Sequence, residues 1–81
     1  FEGATHRLVR ALLARLPSQE GPLELRLAES RQELAAYLSM KPETLSRSLR
    51  ALTQTGVLDV EGRTIRVPSR RRLLAELDAV V

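Results

Sequence analysis

Three residues, Ser39-Met40-Lys41, separate two segments that each carry their own signal for starting a helix, and this short break constrains the chain more than any other feature. Upstream, Ser30-Arg31-Gln32-Glu33 has the spacing of a capping box. The Ser30 hydroxyl oxygen accepts from the Glu33 N–H, and the Glu33 carboxylate accepts from the Ser30 N–H. The pattern predicts a helix from there through Leu38, with Leu34, Ala35 and Leu38 on its apolar face and Tyr37 at the edge of the core. Downstream, Pro42 suits the first turn of a second helix, where its missing N–H costs nothing. That helix is expected to run to about Thr55, with Gly56 placed to end it.

The flanking segments complete the plan. Residues 4–16 place Leu8, Val9, Leu12, Leu13 and Leu16 at helical spacing, and the Pro17–Pro22 stretch breaks that helix. Leu23-Glu24-Leu25-Arg26-Leu27 alternates strictly and reads as a short half-buried strand. Residues 57–60, a turn at Glu61-Gly62 and residues 63–67 read as a β-hairpin ended by Pro68. Ser69 is placed to cap a last helix bearing Leu73, Leu74, Leu77 and Val80. The fold class is mainly α with a small antiparallel β-hairpin, and the order of elements is that of a winged helix-turn-helix.

Composition narrows the function. A chain of 81 residues supports one domain, here residues 1–81, with little interior to spare for a deep catalytic pocket. Without cysteine there is no disulfide, thiolate metal site or cysteine nucleophile. One histidine does not make a zinc site of the usual ligand count. His6 reads as a helix-surface residue and not as a ligand. No nucleophile–base pair, paired acid constellation or Gly-rich phosphate loop occurs, so the expectation is a chain that is not an enzyme and takes no cofactor. The sequence holds no apolar stretch long enough to span a bilayer and no signal-peptide pattern, and a cytoplasmic location is expected. The first residue is Phe1, which suggests a piece of a longer protein.

Charge is unevenly placed. Residues 1–39 balance to zero, whereas residues 40–72 hold eight basic against three acidic residues, a net +5. That is the look of a polyanion-binding face, although a solvated surface has the same composition. Arg70, Arg71 and Arg72 read as a solvated helix start, their charge opposed to the helix dipole, with a phosphate clamp as the alternative.

The second helix gives the charge a direction. On a wheel of about 100° per residue, Leu45, Leu49 and Leu52 fall together, and Glu43, Ser46, Arg47 and Arg50 fall opposite. Arg donates two hydrogen bonds to guanine, Glu accepts from the cytosine amino group, and Ser donates, accepts or touches a thymine methyl. These residues sit in the first turns of the helix, the part that enters the groove in this motif. The bland alternative is an exposed face with a Glu43–Arg47 pair at i, i+4, worth a few tenths of a kcal/mol.

Ser30-Arg31-Gln32-Glu33-Leu34-Ala35, Pro42-Glu43-Thr44-Leu45-Ser46-Arg47 and Gly56-Val57-Leu58 followed by Glu61-Gly62-Arg63-Thr64-Ile65 resemble the C-terminal domain of the Crp/Fnr superfamily of bacterial transcription regulators. The resemblance covers roughly residues 4–78. Glu43-Thr44-Leu45-Ser46-Arg47 is similar to the Fnr-type reading helix; the Crp type has Gly at the Ser46 position. Ala4-Thr5-His6-Arg7 and Ser39-Met40-Lys41-Pro42-Glu43-Thr44 resemble the Dnr-like branch, which governs denitrification genes in response to nitric oxide. The resemblance implies that Glu43, Ser46 and Arg47 contact bases, with a TTGAT-like half-site. It implies that Ser30, Arg31, Gln32, Lys41, Thr44, Arg50 and Arg63 contact the backbone, Ser30 to Gln32 at the start of the first helix and Arg63 at the wing tip. Two positions depart from the family pattern: Ser39 stands where Gly is usual, and Lys41 where Ser or Thr caps the second helix. The implied partners are double-stranded DNA and RNA polymerase, with dimerisation through a helix upstream of this chain and a sensor in a separate N-terminal domain. The competing reading is a winged-helix protein–protein interaction module, which a face of exposed Leu or Phe in place of the polar set would favour.

Overall fold

The computed structural model describes residues 3–78. Four helices, α1 (Ala4–Arg15), α2 (Arg31–Tyr37), α3 (Pro42–Gln54) and α4 (Arg70–Asp78), surround one aliphatic core and carry three strands, β1 (Leu23–Arg26), β2 (Asp59–Glu61) and β3 (Thr64–Val67). The apolar stripe of α1 buries Leu8, Val9, Leu12 and Leu13, and the helix packs on α3 and α4. Leu34 and Ala35 of α2, Leu45, Leu49 and Leu52 of α3, and Leu73 of α4 close the same core. Val80, expected on the last helix, lies outside the described residues.

The hairpin gains a third strand. β1 pairs antiparallel with β3, Leu23 opposite Val67 and Leu25 opposite Ile65, and β3 pairs with β2 on its other side. Period-2 side chains put Leu23, Ile65 and Val67 inward. Arg66 points outward, bridging Glu24 at 3.1 Å and Glu61 at 2.8 Å across all three strands. The expected turn at Glu61-Gly62 falls one residue later. Glu61 pairs with Thr64, leaving Gly62-Arg63 as a two-residue loop with Gly62 at φ +61°. A positive φ at the first loop position alone is the type II′ pattern, which favours glycine there.

Both helices of the central motif end alike. After α2, the Ser39 N–H donates to the Ala36 carbonyl and the Met40 N–H to the Ala35 carbonyl. After α3, the Gly56 N–H donates to Thr53 and the Val57 N–H to Leu52. These are two Schellman motifs. The left-handed residue is Gly56 in one, at φ +79°, and Ser39 in the other, at φ +57°. The first ends α2 and turns the chain into α3 within three residues.

Four expectations need correction. Tyr37 is not at the core edge: it is 71% exposed, with the Arg15 guanidinium 5.7 Å from its ring centroid. Leu74 is also exposed, at 45%, because Leu73 and Leu77 take the inward side of α4. His6 is half-buried, with Nε2 donating to the Leu77 carbonyl at 3.2 Å, so it ties α1 to α4. The start of α4 is exposed at Arg71 and Arg72, but not throughout at Arg70. The Nε of Arg70 is buried, Arg71 reaches Glu20 at 3.1 Å, and Arg72 reaches the Thr55 carbonyl at 3.4 Å.

Candidate nucleic-acid interface

Burial on one side of α3 dictates what the other side offers. Leu45, Ser48, Leu49 and Leu52 are buried, which fixes the rotation of the helix about its axis. Glu43, Ser46, Arg47 and Arg50 are thereby exposed together on the opposite side, and Thr44 is half-buried between the two. Ser48 escaped the sequence reading. Among the described residues it is the one buried polar side chain, and its Oγ accepts from the Thr5 hydroxyl at 3.0 Å. A buried hydroxyl without a partner is costly, so this bond fixes where α3 meets α1. A polar residue on an otherwise apolar stripe was the signal available for it.

Lys41 is the N-cap residue of α3, and no side chain caps that helix end. Its exposed ammonium group stands where the orphan N–H groups of the first turn emerge. Pro42 at the first helical position removes one of those donors.

The first turn of α2 has the predicted capping box. The Ser30 N–H donates to Glu33 Oε1 at 2.9 Å, and Ser30 Oγ accepts from the Glu33 N–H at 3.2 Å. Both groups of Ser30 are therefore engaged locally. What remains for a backbone contact is its hydroxyl proton, with Arg31 half-exposed and Gln32 exposed beside it. The bonds from Ser30 hold the Glu33 carboxyl below the usual carboxylate range. Glu29 is held low by the Arg15 guanidinium, whose two nitrogens meet its two oxygens at 2.7 and 2.9 Å. This fork joins the end of α1 to the residue before the cap.

The wing is fastened to the same segment. The Leu27 N–H donates to the Arg63 carbonyl at 2.7 Å. Arg31 Nη2 donates to the Gly62 carbonyl at 2.8 Å, and Arg63 Nη1 donates to the Ala28 carbonyl at 2.8 Å. Ser30, Arg31 and Arg63 thus come together in one place, while Glu43, Ser46, Arg47 and Arg50 share the outward face of α3. The bonds of Arg31 and Arg63 to backbone carbonyls were not expected.

A helix packed under a second, outward-facing helix, followed by a hairpin pinned beside it, defines the class of winged helix-turn-helix domains, a DNA-binding class. The chain belongs to the family of Crp-like helix-turn-helix domains, whose model matches residues 6–76. It is 40% identical over 63 residues to the transcriptional activator protein FnrL of Cereibacter sphaeroides, which covers 76% of this chain and 25% of that protein. The structure of FixK2 from Bradyrhizobium japonicum superposes with a TM-score of 0.73 at 32% identity, covering 90% of this chain and 37% of that one. A putative cyclic nucleotide binding protein from Ruegeria pomeroyi has the same fold, with a TM-score of 0.87 at 23% identity over 96% of this chain and 34% of that one. The chain thus spans about a quarter of its curated relative and about a third of these structures. No helix among the described residues is long and apolar enough to cross a membrane.

Proposed function

We propose that this chain binds double-stranded DNA sequence-specifically, as the output domain of a bacterial Crp/Fnr-type transcription regulator working in the cytoplasm. α3 lies in the major groove, and Glu43, Ser46 and Arg47 read base edges. Arg31, Gln32, Lys41, Thr44, Arg50 and Arg63 hold the sugar-phosphate backbone, helped by the Ser30 hydroxyl. The half-site is TTGAT-like, with Arg47 on the guanine. The observation that carries this reading is the rotation of α3: its apolar side is buried, so its two-arginine, one-glutamate side has solvent in front of it. The identity to FnrL, a transcriptional activator, supports the regulatory role. The domain itself needs no cofactor and performs no catalysis. In the whole protein a helix upstream pairs two copies, a separate domain senses the signal, in the Dnr-like manner nitric oxide, and RNA polymerase is a further partner.

The protein–protein alternative has little to stand on. The exposed large hydrophobic residues among those described are Tyr37 on α2 and Leu74 on α4, and neither is on the outward face of α3.

Titration of the chain with a TTGAT duplex and a scrambled duplex over a range of salt tests the proposal. Tighter binding to the first, with log K falling linearly against log salt, is expected. Equal, salt-independent binding to both, or none, would refute it.

A further inference from the structure

The wing tip and the segment before α2 each send an arginine to a backbone carbonyl of the other. Arg31 reaches Gly62 O and Arg63 reaches Ala28 O, both at 2.8 Å, and the Leu27 N–H to Arg63 O bond at 2.7 Å lies beside them. Neither guanidinium spends its charge on a carboxylate in these bonds. Arg63 also draws on Glu29 and Glu33 at longer range, helping to keep both carboxyls ionised. β1 and β3 pair only as far as Arg26 and Thr64, so the wing-tip loop Gly62-Arg63 and the segment before α2 are held by bonds beyond that ladder. The crossed bonds supply what holds both in place. Each guanidinium has five N–H donors, so each keeps donors free for an outside acceptor after giving one to a carbonyl.

We propose that Arg31 and Arg63 are positioning residues for one another. Their crossed bonds clasp the wing to the start of α2 before DNA arrives, so that backbone contacts from the two segments are made as a unit. This extends the DNA-binding reading and rests on it for its consequence, but not for the clasp itself. Removing either arginine frees the wing and misplaces the other, so the second removal adds little.

The test has two arms, using the 81-residue chain and its Arg31→Ala, Arg63→Ala and doubly substituted forms. In the free chain, amide exchange at Leu27, whose N–H is bonded to the Arg63 carbonyl, is expected to quicken about tenfold in either single variant. Exchange at Leu49, in the buried turn of α3, should stay unchanged, which separates a loosened wing from a destabilised fold. In duplex titrations at fixed salt, the double variant should bind at least about fivefold tighter than the product of the two single losses predicts, a coupling of ordinary size for groups in one network. Unaltered Leu27 exchange would overturn the clasp, and losses that simply multiply would overturn its role in binding. A parent chain that binds no duplex would overturn the DNA-binding reading instead, while the exchange arm still decides the clasp.

Discussion

At the scale of single residues, side chains that look equivalent do different things. Arg15, Arg31, Arg63 and Arg66 are engaged by carboxylates or backbone carbonyls, whereas Arg47 and Arg50 stand exposed on the outward face of α3. On the proposed reading, Arg63→Ala removes one cation from the backbone-facing set and misplaces Arg31, so it should lower the slope of log K against log salt by roughly 1 to 2, with the loss spread evenly over all sequences. An unchanged slope in a salt titration would take Arg63 out of the interface. Ser39 sets a second prediction. A non-glycine residue in the left-handed region costs about 1–2 kcal/mol, and glycine gives back roughly 0.4–1 kcal/mol through the unfolded chain. Ser39→Gly should therefore stabilise the chain by about 0.5 kcal/mol in denaturant melts. Gly56→Ala should cost about 1 kcal/mol from backbone strain, since an added Cβ meets no atom closer than Arg72 Nη2 at 3.9 Å. Equal melts for Ser39→Gly and its parent would show that the turn carries no such strain.

At the scale of elements, the two helices of the motif start on different terms. α2 has both halves of a capping box, whereas α3 begins at Lys41 with no side-chain cap. Lys41→Ser should supply the missing cap, stabilise the chain by roughly 0.5–1 kcal/mol, and weaken DNA binding by removing a cation. Thermal melts and titrations together check it, and a variant that melts lower and binds tighter would reverse the assignment. Acid should act at the start of α2. The Glu29 and Glu33 carboxyls are held below their ordinary range, so their contribution is complete above about pH 4.3 and fades as pH falls through their lowered values. Stability of a Glu29→Gln, Glu33→Gln variant should fall less steeply below that pH than that of its parent.

These starts were legible because their signals are local, a capping box written in residues three apart for α2 and Pro42 in the first turn for α3. The break at Ser39-Met40-Lys41, the buried stripe of α3 and the outward polar set were legible for the same reason. The pairing of β1 with β3 was not, because it joins residues some forty positions apart and no local pattern states the partner of a lone strand. Tyr37 was misjudged because an aromatic ring near the end of an apolar stripe was expected to tuck in, and Arg15 offers it a place outside. The clasp and the Thr5–Ser48 bond were hidden for a similar reason, since each depends on two surfaces that only folding brings together.

At the scale of the molecule, the chain has one outward-facing helix and one wing, which on the proposed reading serve a single half-site. The aliphatic stripes of α1, α2 and α3 are spent on the core. The isolated chain should therefore be monomeric and bind weakly. Fusing a leucine zipper before Phe1 makes the second half-site contact intramolecular. Avidity for an inverted repeat with centres about 34 Å apart should then exceed the single-site affinity by about 10²–10⁴. Sedimentation and titration check both halves, and a stable dimer of the unfused chain already bound tightly to the palindrome would contradict them. The central claim is that the outward face of α3 reads sequence, and selection from a randomised duplex pool with the parent chain and Arg47→Ala tests it most directly. The parent should enrich a TTGAT-like half-site, and the variant should lose about 1–3 kcal/mol with preference relaxed at the guanine alone. Enrichment of the same sequence by both, or a loss shared equally by every sequence, would contradict it.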